Sequence, residues 1–153
     1  MSTTYDVKWA APEAIVTALT TELNSLANGE AALTAAIANE TGLYPYIDLE
    51  LYMASVDIHT QTALYLSVWF LSAVDSTPNY EDGSNTGPMI PARPPDVVIP
   101  VRAGSGAMTQ RVNVVNIPIP PLGFEILIQN NIGAALAASG NTLKYRRHNM
   151  RIS

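Results

Sequence analysis

The stretch Val112–Arg151, VNVVNIPIPPLGFEILIQNNIGAALAASGNTLKYRRHNMR, constrains this chain most, because it alternates β-rich runs with turn chemistry. Extended, Phe124, Ile126 and Ile128 point one way and Glu125, Leu127 and Gln129 the other, the period of a strand in a sheet. Pro120-Pro121-Leu122-Gly123 before it and Asn130-Asn131 after it are both able to reverse the chain. Ser139-Gly140-Asn141 turns it again into Thr142–His148, a last strand carrying Lys144, Arg146 and Arg147. Such a segment ends an antiparallel β-sandwich.

The rest of the chain adds strands to that ending. In Tyr46–Met53, Ile47, Leu49, Leu51 and Met53 share one face and Asp48, Glu50 and Tyr52 the other, so a half-buried strand is expected. Ala63–Val74 is apolar on both faces, which suits a central strand whose aromatics serve a second interface. Asp96–Val101, flanked by prolines, reads as an edge strand. Ala103–Ala107 is a flexible turn, and Arg111–Ile119 resumes the sheet.

Two segments depart from this pattern. Pro12–Ala27 has helix-opening chemistry in Pro12-Glu13 and apolar residues at Val16, Leu19, Leu23 and Leu26, so the spacing predicts a helix ending at Asn28-Gly29. Thr17, Thr20 and Thr21 weigh against it, since β-branched side chains lose freedom in a helix. For Glu30–Asn39 a short helix and an extended edge both stay open. Ser76–Pro95, STPNYEDGSNTGPMIPARPP, is too rich in Pro, Gly and Asn for regular structure, and loops of that length are functional or disordered. The expected fold class is therefore mainly β, a jelly-roll-like antiparallel sandwich with a short helical N-terminal segment. Its parts are an arm at 1–11 and one domain at 12–153, with the helical piece at 12–27 and the long loop at 76–95.

Composition narrows the function. A chain of 153 residues is long enough to bury about 70% of its unfolded surface as one domain. It has no cysteine, so it offers no disulfide or thiolate metal site. Only 14% of residues are charged against 48% hydrophobic, which points to surface buried against something else. Apolar runs stop well short of the about 18 residues that span a bilayer, and Met1–Lys8 lacks a secretory signal, so a soluble, unprocessed protein is expected. Up to Ile90 there are 11 acidic residues and one basic, Lys8; beyond it, Asp96 and Glu125 face seven basic residues. Interleaved strands would turn that asymmetry into cross-strand ion pairs, with Lys144, Arg146, Arg147, His148 and Arg151 meeting Asp48, Glu50 or acids of the N-terminal segment. A protein interface is the next reading of this basic cluster. The acidity of the whole and the lack of interleaved aromatics speak against nucleic acid.

Chemistry is sparse. Asp57-Ile58-His59 sets a carboxylate two residues from a histidine, with Ser55 and Ser67 nearby, but no nucleophile elbow accompanies it. Two distant histidines do not make a zinc site, and Asn79–Asn85 lacks the order of a calcium loop. No catalytic, cofactor or metal residues are assigned, and a non-enzyme is expected. Tyr44, Tyr46, Trp69 and Tyr80 raise sugar binding as a minor alternative to core or interface roles.

Several stretches resemble small virion proteins of tailed bacteriophages: Ser25–Gly29 (SLANG), Ile47–Ser55 (IDLELYMAS), Asn79–Gly83 (NYEDG), Ile117–Phe124 (IPIPPLGF) and Ile128–His148 (IQNNIGAALAASGNTLKYRRH). The resemblance runs from about Leu19 onward and implies a jelly-roll-like sandwich encoded with head genes. Several such proteins are capsid cement or decoration proteins, often dimers or trimers. It therefore implies a virion protein on the phage head surface, made in the host cytoplasm, whose partners are the major capsid protein and itself, without nucleic acid or membrane. The alternative within that setting is a tail-associated or receptor- or carbohydrate-binding module. Candidate partner contacts are Tyr5, Lys8 and Trp9 in the arm, Tyr80, Met89, Ile90 and Arg93 in the long loop, and Arg146 and Arg147 in the last strand.

Overall fold

The computed structural model describes residues 7–74, 80–81 and 87–152. Among the described residues ten strands follow one another: β1 (Val7–Trp9), β2 (Val16–Leu19), β3 (Ala31–Leu33), β4 (Tyr46–Val56), β5 (Tyr65–Ser72), β6 (Val97–Pro100), β7 (Met108–Pro118), β8 (Phe124–Asn131), β9 (Thr142–His148) and β10 (Met150–Ile152). They form two four-stranded antiparallel sheets, β2-β9-β4-β7 and β3-β8-β5-β6, and a two-stranded ribbon, β1-β10.

One apolar core lies between the sheets. The first contributes Ile47, Leu49, Leu51 and Met53 from β4, each no more than 1% exposed, and the second contributes Leu66, Val68 and Phe70 from β5 with Phe124, Ile126 and Ile128 from β8. The alternation in β4 is the one its sequence dictates, since residues two apart share a face. β5 and β8 are buried on both faces. Trp69, Leu71 and Leu127 form a second cluster on the far side of their sheet, against Ala31, Leu33 and Tyr80. Trp69, expected to serve a further interface, is thus covered by its own chain, and its indole N–H donates to the Arg93 carbonyl at 3.1 Å.

The helix expected at 12–27 is not formed. Val16–Leu19 is the edge strand β2, with Val16 opposite Tyr145 and Thr17 opposite Lys144, and a single 3-10 turn follows at Thr21–Leu23. Leu19 and Leu23 are both buried, because the turn brings the chain back over the core after the strand ends. The apolar spacing of three and four fits that strand and turn as well as a helix. Pairing with the otherwise open edge of β9 decides it, and the β-branched threonines suit the outcome.

Residues 30–39 form the short edge strand β3 and an isolated bridge between Ile37 and Phe124. Gly29, with φ +88°, ends no helix but turns the chain into β3, its N–H bound to the Asn130 carbonyl at 2.7 Å. Asn130 does more than reverse the chain. Fully buried, it donates to the carbonyls of Leu26 and Ala134, both at 2.8 Å, and accepts from the Ile132 N–H. Of the arm expected at 1–11, the described part Val7–Trp9 pairs with Met150–Ile152 of the same chain.

Candidate interaction surface

The outward face of β4 carries Tyr46, Asp48, Glu50 and Tyr52. Register sets them opposite His148, Arg146, Lys144 and Thr142 on β9. On the other side β7 slips by a bulge between its pairings with Ile47 and Leu49, and in that bulge Asn116 takes a left-handed φ of +59°. The bulge aims a backbone donor: the Asn116 N–H binds Asp48 Oδ1 at 2.9 Å. His148 Nε2 lies 3.0 Å from the same oxygen, and Arg146 Nη2 lies 3.1 Å from Oδ2. Burial alone would raise the Asp48 pKa, but these three donors together hold it below the usual carboxylate range.

The expected cross-strand pairing is present along this face. Glu50 receives Arg111 at 2.9 Å and Lys144 at 3.7 Å, and the Arg111 guanidinium also lies over the Tyr52 ring. These groups are partly exposed, so each pair is worth little. Their effect is to leave a floor of alternating charge with little net field.

Aromatic rings close one end of the face. His148 stacks on Tyr46 with centroids 5.6 Å apart, and Trp9 meets His148 edge-on at 5.1 Å. The β1-β10 ribbon delivers Trp9 there, and its pairing continues as the Ala10 N–H binds the Asn149 carbonyl at 2.9 Å. Trp9 remains 58% exposed while His148 is 6% exposed. A carboxylate only accepts hydrogen bonds, so Nε2 of His148 carries the hydrogen toward Asp48. The other ring nitrogen, Nδ1, is closed off without a partner. Between Trp9, Pro12 and the Val115–Asn116 bulge, above Asp48 and Arg146, runs a groove of 320 Å³. A second groove of 160 Å³ shares Asp48, Val115 and Arg146 with it and extends to Ile15, Asn113 and Lys144.

The other candidate contacts are dispersed. Tyr5 lies outside the described residues. Lys8 sits in β1 opposite Arg151. Arg147 is committed inward: its Nε binds Glu13 at 2.8 Å, its Nη1 donates to the Ala38 carbonyl, and its guanidinium covers the Tyr44 ring. Arg93 and Tyr80 also face the protein. Arg93 grips Glu81, Asp96 at 2.8 Å and the Phe70 carbonyl at 3.1 Å, while Tyr80 packs on the second cluster. Met89 and Ile90 stay exposed, at 53% and 42%. Of the described members of the set, Trp9 and Arg146 line one groove.

The sequence pair Asp57–His59 does form, at 2.5 Å, but half exposed, and Ser67 is on the second sheet bound to Asn131. No three His, Asp or Glu side chains among the described residues could share a metal ion, and no described helix is long and apolar enough to cross a membrane. Sequence reasoning set Asp48 and Glu50 against the basic cluster that includes His148, but it missed the Asn116 bulge and the convergence of Asn116, His148 and Arg146 on the one Asp48 carboxylate. The outward alternation on both strands was a signal, but 100 residues separate the partners and only the register brings them together. No family model, no curated protein and no solved structure matches this chain.

Proposed function

We propose that this chain is a non-enzymatic structural protein of a tailed-phage particle, a cement or decoration protein that binds the assembled head. The observation that carries this reading is the strand order. With β2-β9-β4-β7 in one sheet and β3-β8-β5-β6 in the other, successive strands cross between sheets except at the β5-β6 hairpin. That order supports reading the two sheets as an eight-stranded jelly roll, an architecture common in viral capsids. Fold alone does not assign a role. Further support comes from apolar side chains left open to solvent: Trp9, Ile15, Val16 and Val115 around the first sheet, and Met89, Ile90 and Val98 beside the second.

In this reading the protein sits on the outer head surface, as a dimer or trimer, with the major capsid protein as its partner. A clamp that binds only the assembled lattice stabilises it by mass action. The test is copy number in purified particles, by quantitative peptide mass spectrometry against the major shell protein. A ratio of the same order supports decoration. A ratio typical of tail parts, or absence from the particle, overturns it.

A further inference from the structure

We propose that the groove between Trp9 and the Val115–Asn116 bulge binds a neutral saccharide bearing vicinal hydroxyls. The chemistry of its lining selects that class. Asp48 Oδ1 is occupied by the Asn116 N–H and His148 Nε2, whereas Oδ2, among the described residues, is bound by Arg146 Nη2 alone. A carboxylate oxygen has two acceptor positions, so Oδ2 keeps one beyond Arg146, and Arg146, with five N–H donors and 40% side-chain exposure, keeps several donors; both residues line the groove. A hydroxyl both donates and accepts. Two neighbouring hydroxyls can span this pair, one giving its hydrogen to Asp48 and one receiving from Arg146, each bond strengthened by the charge on the protein side.

The apolar requirement of a sugar ring is met beside it. The exposed indole of Trp9 stands at one wall, and Val115, 58% exposed, stands at the other. The C–H face of a pyranose lies well on such a ring while its hydroxyls point at the floor. Charge balance argues for a neutral ligand: Asp48 is matched by Arg146, and Glu50 by Lys144 and Arg111, so a phosphate or polyanion gains little from the field. A volume of 320 Å³ falls within the usual range for small-ligand sites, and the adjoining 160 Å³ offers room for a second ring. His148, on the same wall, is 94% buried and spends Nε2 on Asp48, so it fixes the carboxylate and leaves the ligand contacts to Asp48 Oδ2 and Arg146. The Asn116 bulge and the stacked rings hold Asp48 and His148 in place before any ligand arrives, which lowers the ordering cost of binding.

The site is tested on the full chain with glucose, galactose, mannose, lactose and maltose, followed by tryptophan emission and amide NMR shifts. The expected result is saturable, millimolar binding of at least one of them, with shifts centred on Trp9, Asn116 and Arg146. Trp9→Ala weakens it about tenfold or more. Because Trp9 also touches His148, Val115→Arg provides a second variant: it fills the groove from an exposed position, leaves the unfolding midpoint unchanged and weakens binding as much. A flat titration across all five sugars overturns the proposal, as does binding that both variants leave intact. Neither result bears on particle copy number, so this inference and the decoration reading fail separately.

Discussion

Arg93 clasps Glu81 with two nitrogens, Nε on Oε1 at 2.6 Å and Nη2 on Oε2 at 3.0 Å. The same guanidinium reaches Asp96 and the Phe70 carbonyl, so two carboxylates and a strand carbonyl depend on one side chain. Those contacts push the Arg93 pKa further up, and it stays charged at every working pH. Arg93→Ala would leave Glu81 and Asp96 facing each other without a cation. With the partners about one-third exposed, the expected loss is about 1–3 kcal/mol. Since the Arg93 carbonyl also holds the Trp69 indole, the variant should red-shift Trp69 emission and open the 87–96 segment to proteolysis. Unchanged emission and cleavage would show that this segment is held by other means.

Asp48 predicts the acid side of the stability curve. Its folded pKa lies below the unfolded value, so its contribution is complete above the unfolded pKa and is lost as pH falls through the folded one. Denaturant titrations from neutral to acid pH should show stability falling over that window in the parent. Asp48→Asn should be about 1–3 kcal/mol less stable at neutral pH, because the donors of Arg146, His148 and Asn116 lose their shared anion, and should show a shallower acid fall. An equal acid slope in both proteins would remove Asp48 from the account.

Glu125 acts in the opposite sense. It is 9% exposed, with Oε2 unpartnered, and burial raises its pKa. A carboxyl that binds its proton more tightly when folded favours the fold at low pH, and that advantage disappears as pH rises through the folded pKa. At neutral pH the ionised group is a burden, so Glu125→Gln should raise stability there by about 1–3 kcal/mol, with a smaller gain at acid pH. A thermal melt of both proteins at the two pH values settles the sign.

How much of this was legible depended on the range of the interaction that decides each element. β4 could be read because its alternation of Ile47, Leu49, Leu51 and Met53 with polar residues is local and its burial follows directly. β9 was legible for the same reason, and the pairing of Arg146 and Lys144 with Asp48 and Glu50 followed from opposite charge on interleaved strands. The segment 12–27 was misread because Val16, Leu19, Leu23 and Leu26 satisfy a helical stripe, while the free edge of β9 that claims Val16 and Thr17 lies over a hundred residues away in sequence. The groove was illegible for a further reason. Its parts come from β1, β4, β7 and β9, and the left-handed residue that aims a donor at Asp48 is an asparagine with no glycine beside it to announce a bulge.

Leu43 offers a local test of backbone strain. Its φ is +45°, in the left-handed region where a side chain crowds its own carbonyl at a cost of about 1–2 kcal/mol. The conformation is imposed from outside: the Leu43 N–H binds the Asn39 carbonyl at 2.8 Å, and the buried Asn39 amide brackets the next residue by donating to the Tyr44 carbonyl and accepting its N–H. The leucine side chain itself returns little, being 58% exposed. Asparagine tolerates this region far better, so Leu43→Asn should stabilise the protein by about 0.5–1 kcal/mol, read as a higher denaturant midpoint at unchanged slope. Glycine relieves the same strain but adds freedom to the unfolded chain, so Leu43→Gly should gain less than Leu43→Asn. Leu43→Ala keeps the strain and should stay at or below the parent. A gain from alanine equal to that from asparagine would trace the benefit to removal of an exposed apolar group and not to the backbone.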